Sequence, residues 1–162
     1  MNVRLRLILI KILRIFHIEL SEEKLEGLLQ FIKFGIVGVS NTVISYVLNV
    51  LVLLALRPWE VAWDFIAGNV VAFVLSVLWS FYWNNRYVFV IREGEKRKLG
   101  KALVKTYLSY GFTGIILSNV LSWLWISILG ISKYVAPLIN LIISVPLNFI
   151  INKFWAFKVE NR

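Results

Sequence analysis

Long apolar runs alternate with short polar segments along the chain, and their length sets what they can be. A bilayer core about 30 Å thick takes about 20 helical residues at a rise of about 1.5 Å each. Four runs reach that length, at 34–56, 63–83, 106–129 and 134–151, and four transmembrane helices are predicted from them. The second is entered by Asp64 and otherwise carries no charge. Ahead of the first, Arg4, Lys11 and Arg14 recur at about helical spacing among Leu5, Ile8, Leu9, Ile12, Phe16 and Ile18. That pattern predicts an amphipathic helix, lying either in an anionic membrane interface or as a short helix packed on the bundle. Leu7 to Ile10 resembles a signal-peptide core, but Lys11 and Arg14 interrupt it and no small-residue cleavage site follows, so cleavage is not expected. Ser21 before Glu22 and Glu23 reads as the cap of a helix leading into the first span.

Polar residues inside the runs also keep helical spacing. Asn140, Ser144, Asn148 and Asn152 recur every four residues in the fourth run, and Ser76, Ser80 and Asn84 occupy matching positions in the second. The first run carries Asn41, Ser45 and Asn49, and the third Ser118 and Ser122 with Asn119 beside them. Each helix therefore has a polar face. Amides and hydroxyls in hydrocarbon need hydrogen-bond partners, so these faces are expected to point inward, toward one another as packing contacts or toward a polar passenger.

The chain also repeats itself. Asn84-Asn85-Arg86-Tyr87-Val88-Phe89 matches Asn152-Lys153-Phe154-Trp155-Ala156-Phe157 at a shift of 68 residues, while Phe31, Gly35 and Gly38 match Tyr107, Gly111 and Gly114 at a shift of 76. Two spans per half, an even number, imply parallel repeats with a pseudo-axis along the membrane normal. Gly35, Gly38, Gly111 and Gly114 are read as sites of close helix approach, since no phosphate-loop pattern accompanies them. Pro146 deletes a backbone hydrogen bond toward Ile142 and is read as a hinge or a bend. Trp59, Trp63 and Tyr134 at one side, with Trp83, Tyr87 and Trp155 at the other, read as aromatic belts.

Composition agrees with a membrane protein: of 162 residues 59% are hydrophobic and 17% charged, and the mean hydropathy is +0.77. The net charge of +9 is read as a topology signal rather than a nucleic-acid footprint, and no nucleic-acid partner is expected. Six Lys and Arg lie between Arg4 and Lys33, seven between Arg86 and Lys105 and three from Lys153 to Arg162, leaving only Arg57 and Lys133 on the other side. Both termini and the central loop are thus expected in the cytoplasm, in a multi-pass protein of the cell membrane.

The inventory for catalysis is thin. There is no cysteine, one histidine (His17) and one aspartate (Asp64), so no catalytic residue, metal site or cofactor is expected. Lys33, Arg86, Lys105 and Lys153 at the basic interface have the charge to bind a phosphate diester, with snorkelling and topology control as the ordinary alternative. Arg86 and Lys153 stand out because both lie in the repeated motif.

These residues resemble the GtrA-like family. The likeness covers about residues 30–158 and rests on Phe31-x-x-Phe34-Gly35-x-x-Gly38, on Asn41-Thr42, and on the Asn-x-x-aromatic-x-Phe endings of the second and fourth spans. This chain has Ser45 where the family often has an acidic residue, and Asn85 where a basic one is common. The expected fold is thus all-α and polytopic, four transmembrane helices as two parallel two-helix repeats, plus an N-terminal amphipathic interfacial helix that lies outside the resemblance. The chain divides into an N-terminal segment 1–29, the transmembrane domain 30–158 that the resemblance covers, and a cytoplasmic tail 159–162. The resemblance implies a flippase that passes a polyprenyl- or dolichyl-phosphate-linked monosaccharide from the cytoplasmic to the outer leaflet. In that reading Arg86, Lys153, Lys33 and Lys105 receive the phosphate. Asn41, Ser45, Asn49, Ser76, Ser80, Asn84, Asn119, Asn140, Ser144, Asn148 and Asn152 line the sugar path. The alternative is a noncatalytic membrane subunit that anchors a glycosyltransferase through the basic central loop, and a homodimer is expected because four short helices enclose little interior.

Overall fold

A computed structural model describes residues 2–60, 64–91, 94–132 and 135–159, with side chains from residue 5 onward. Arg4's side chain and all of Trp63, Arg92, Glu93, Lys133 and Tyr134 lie outside the described residues, as do 160–162. The described chain is helical: α1 (Asn2–Ile15), α2 (Glu22–Leu56), α3 (Asp64–Trp83), α4 (Leu99–Gly111), α5 (Ser118–Trp123) and α6 (Ala136–Ile151). Turns of π-helix extend α3 (Asn84–Val88) and α6 (Asn152–Ala156), and join and extend α4 and α5 (Phe112–Leu117, Leu124–Ile128). Four stretches are long and apolar enough to cross a membrane: Glu22–Trp59, Asp64–Val88, Leu99–Ile128 and Ala136–Ala156.

Each helix overruns its apolar run at the basic end. The first begins at Glu22 rather than 34 and the third at Leu99 rather than 106, while the second and fourth continue to Val88 and Ala156. Helix hydrogen bonding does not require apolar side chains, and these extra turns bury one face against a neighbour. On α2 that face carries Leu25 and Leu29, which pack with Leu9 of α1 and with Leu5, Leu13 and Ile32 around them. Arg6 pairs with Glu22 beside this contact. Thus α1 lies packed on the start of α2, with Leu7, Ile8, Ile12 and Ile15 left exposed. Ser21 sits at the N-cap in extended geometry but makes no side-chain capping bond, so Glu22 and Glu23 in the first turn carry the favourable charge there. Helix α6 runs through Pro146.

The two motif endings share one backbone device. Phe89 N–H donates to Asn84 O, and Phe157 N–H to Asn152 O, each at 2.8 Å, closing an i−5 turn that widens the helix end. Both phenylalanines turn inward, stack on each other at 4.7 Å and form a buried cluster with Phe34 and Phe149. At the 68-residue shift Phe81 corresponds to Phe149, and the crossed pairs Phe81–Phe157 (5.5 Å, 25°) and Phe89–Phe149 (5.9 Å, 27°) have nearly the same geometry. The outward faces of the spans carry residues such as Leu54, Val70 and Ile142, all exposed as lipid-facing positions require.

Candidate functional site

Just inside the phenylalanine cluster lies a buried polar knot. The Ser80 and Tyr110 hydroxyls are 2.5 Å apart, and Asn84 Nδ2 donates to Ser80 Oγ at 3.1 Å. Ser109 Oγ donates to Asn148 Oδ1 at 2.7 Å, and Asn152 Nδ2 donates to Ser109 Oγ, Asn148 Oδ1 and Asn148 O at 3.0, 2.9 and 2.8 Å. Asn84 and Asn152 are both 0% exposed, and the Oδ1 atom of each lacks a partner among the described residues. Four of the predicted path residues, Ser80, Asn84, Asn148 and Asn152, are therefore gathered here at the wide turns that end α3 and α6. A buried carbonyl without a donor costs about 1–3 kcal/mol, so the two open acceptors are a standing demand for water or for a ligand hydroxyl.

Beyond the knot a cavity of about 560 Å³ opens between α2, α6 and the turn after α4. Asn41, Thr42, Tyr110, Thr113, Ser144 and Asn148 supply its polar wall, and Gly35, Gly38 and Gly114 its recesses. A second cavity of about 400 Å³, lined by Ser45, Tyr46, Asn49, Asn69, Ala72 and Phe73, shares Asn41 and Thr42 with the first. Asn41 Oδ1, at this junction, is buried and unpartnered among the described residues. The glycines overturn their expected role. A Cβ built on Gly35, Gly38, Gly111 or Gly114 meets nothing within 4 Å, so these positions open space instead of allowing helices to touch. Close approach occurs at Gly68 on α3, where a Cβ would stand 2.9 Å from Asn49 Nδ2. There Asn49 donates to Asn69 Oδ1 at 2.9 Å, tying α2 to α3.

Other predicted path residues stand apart. Asn140 is buried and saturated: it accepts from Trp125 Nε1 at 3.0 Å and donates to Ser118 O, Ser118 Oγ and Ser122 Oγ. That contact joins α5 to α6 as packing. Asn119 faces outward and donates to Ile115 O of its own helix, because its neighbours Ser118 and Ser122 hold the inner face. Ser76, although buried, bonds back to Phe73 O.

The four predicted phosphate residues do not converge. Arg86 is exposed and makes no hydrogen bond or ion pair among the described residues. Lys33 lines an aromatic cavity of about 650 Å³ with Trp79, Trp83 and Tyr87. Lys153 Nζ rests over the Phe149 and Phe154 rings, each at 5.6 Å, close to Gly27. Lys105 donates to Trp155 O at 3.0 Å and lies over the Trp155 ring at 5.2 Å. Instead, Arg97 of the central loop reaches both repeated motifs: Nη1 donates to Asn85 Oδ1 at 2.7 Å and Phe89 O at 2.9 Å, and the guanidinium covers the Phe157 ring at 5.1 Å. Burial lowers the Arg97 pKa, with the Glu95 charge opposing the shift.

Sequence reasoning missed Thr106, Ser109, Tyr110 and Thr113. Their spacing marks one helical face, a signal obscured because attention fell on the Ser118 and Ser122 end of the same span. Residues 33–157 match the family GtrA/DPMS, transmembrane domain. Among curated proteins, the cell wall teichoic acid glycosylation protein GtcA of Listeria innocua is 30% identical over 98 residues, covering 60% of this chain and 67% of that protein. Its namesake in Listeria monocytogenes is 26% identical over the same shares. No solved structure matches the chain.

Proposed function

We propose, from the premise that this chain belongs to the GtrA/DPMS transmembrane family, that it serves glycosylation of a cell-surface glycan by moving a monosaccharide, carried through phosphate on a polyprenyl or dolichyl chain, across the bilayer. The observation that carries this reading is the pair of cavities meeting at Asn41, with an unpartnered carboxamide oxygen at their junction. A sugar stripped of water in hydrocarbon loses hydrogen bonds that are expensive to leave unmade. Asn41, Ser45, Thr42, Ser144 and Asn148 offer replacements along the wall while the isoprenoid stays in lipid. The knot and phenylalanine plug close the basic end, and passage requires Asn84 and Asn152 to exchange partners there. The basic end faces the cytoplasm in this reading, following the bias of Lys and Arg. The matched crossed phenylalanine pairs support two parallel repeats, and the names of the GtcA relatives support a role in glycosylating a cell-wall polymer.

Reconstitution of the full chain alone in liposomes tests this. A membrane-impermeant probe reads the leaflet of a polyprenyl-phosphate sugar, and protein-dependent movement is expected, reduced in Asn84→Ala and Asn152→Ala. Movement that appears only when a glycosyltransferase is added would instead favour the anchoring subunit.

A further inference from the structure

At the basic end, outside the hydrocarbon spans, a separate cavity of about 450 Å³ has five cations among its eight lining residues: Arg97, Lys98, Lys101, Lys105 and Lys158. They come from three places in the chain, the loop before α4, the first turns of α4 and the tail after the final π turn. No acidic residue is among the described lining residues. Ala102 and Ala156, 2% and 3% exposed, form a floor of small side chains that leaves the space open. Five cations on one concavity present a positive field that favours an anion.

Two of the cations are held in place by uncharged partners, and the Glu95 charge also acts on one of them, Arg97. Arg97 is fixed through Nη1 and the Phe157 ring, while its Nε is buried without a partner among the described residues. Lys105 is fixed by a carbonyl and the Trp155 ring. Lys98 is the N-cap residue of the 13-residue helix α4, so the positive end of the helix dipole adds to the field there. A guanidinium fork with several ammonium groups around it offers donors from several directions, as the tetrahedral oxygens of a phosphate take.

We infer that this cavity binds a phosphate group at the basic face of the protein. Its volume lies in the range of small-molecule pockets, so the phosphate is accommodated together with part of what it is attached to. Two sources present that chemistry, a soluble phosphate compound and the headgroup of an anionic lipid. The site is distinct from the intramembrane cavities, and the inference stands whether or not the protein moves a lipid-linked sugar.

The test uses the full chain in nanodiscs and reads binding, never transport. Pyrophosphate is titrated calorimetrically into phosphatidylcholine nanodiscs, and retention of phosphatidic acid is counted by native mass spectrometry. The pocket variant Lys101→Gln/Lys158→Gln changes two exposed side chains. The variant Lys11→Gln/Lys24→Gln removes the same charge from exposed positions on α1 and α2. Saturable pyrophosphate binding, weakened about tenfold or more in the pocket variant and little changed in the control, supports the site with a soluble source. Phosphatidic acid retention lost in the pocket variant alone supports it with a lipid source. Absence of both, or equal losses in the two variants, overturns the inference.

Discussion

Asn140 and Asn41 both sit on helices at polar positions of period four, yet their surroundings put the same side chain to opposite uses. Around Asn140 the facing turns supply Trp125, Ser118 and Ser122, and the amide is bonded on both its oxygen and its nitrogen. Around Asn41 the cavity wall includes Gly38 of its own helix and Gly114 of the turn after α4, and the carbonyl oxygen has no partner among the described residues. The residue type therefore does not separate a packing contact from a cavity wall. What separates them is whether the opposite helix brings a donor or a gap.

Filling the gap gives the largest expected effect on transport. Gly38→Leu with Gly114→Leu places two side chains into a cavity of about 560 Å³, and since a Cβ at either glycine meets nothing within 4 Å, the fold should tolerate them. Lipid-linked sugar movement in liposomes should fall at least about tenfold, equivalent to about 1.4 kcal/mol, with the helical circular dichroism unchanged. A transport rate equal to wild type would mean that the passenger does not use this cavity.

Asn140→Leu should act in the reverse sense. It strands Trp125 Nε1 and two serine hydroxyls, and with membrane hydrogen bonds averaging about 0.6 kcal/mol the loss is expected on the order of 2 kcal/mol. Unfolding by steric trapping in bicelles measures it. Transport per folded molecule should stay near wild type, and a folded, stable variant that no longer transports would place Asn140 in the path after all.

Asn41→Ala offers the sharpest contrast at smaller size. Removing an acceptor that has no donor relieves a desolvation cost, so stability should hold or rise by up to about 1 kcal/mol, while sugar movement slows. A clear loss of stability, read in the same unfolding assay, would reveal an ordered water bonded to Asn41 Oδ1.

Sequence reading went far on the architecture because hydropathy and span length act on long segments: four spans, their order and the basic end are visible in the apolar runs. The helix ends were less visible, since turns such as 22–33 and 99–105 are held by packing against α1 and the π turn Asn152–Ala156 rather than by apolar composition. Within the site, the repeated motifs pointed to Asn84 and Asn152, whose wide turns bring them into the knot. The glycines misled because a small residue permits contact and cavity alike, and only the partner helix decides. Arg97 was invisible in a loop dense with cations, as its position depends on Asn85 and Phe89 from one motif and Phe157 from the other. The family pattern's basic residue is absent at Asn85, and in this chain a cation is brought to Asn85 by the loop.

The smallest effect probes the pair Asn49 and Asn69, which combines both features: the two amides bond each other and also line the second cavity. Gly68→Ala introduces a Cβ 2.9 Å from Asn49 Nδ2, the far end of a side chain that can swing away. The swing forfeits a bond of about 0.6 kcal/mol, while alanine in a helix interior recovers roughly 0.5–1 kcal/mol relative to glycine. The net change should lie near zero. In an Asn49→Ala background the clash and the bond are both gone, so the same substitution should stabilise by about 0.5 kcal/mol more, the coupling a double-mutant cycle isolates. Coupling of that size would make Asn49 a packing contact like Asn140. With no coupling, Asn49 is free to turn into the cavity, and its role moves to the side of Asn41.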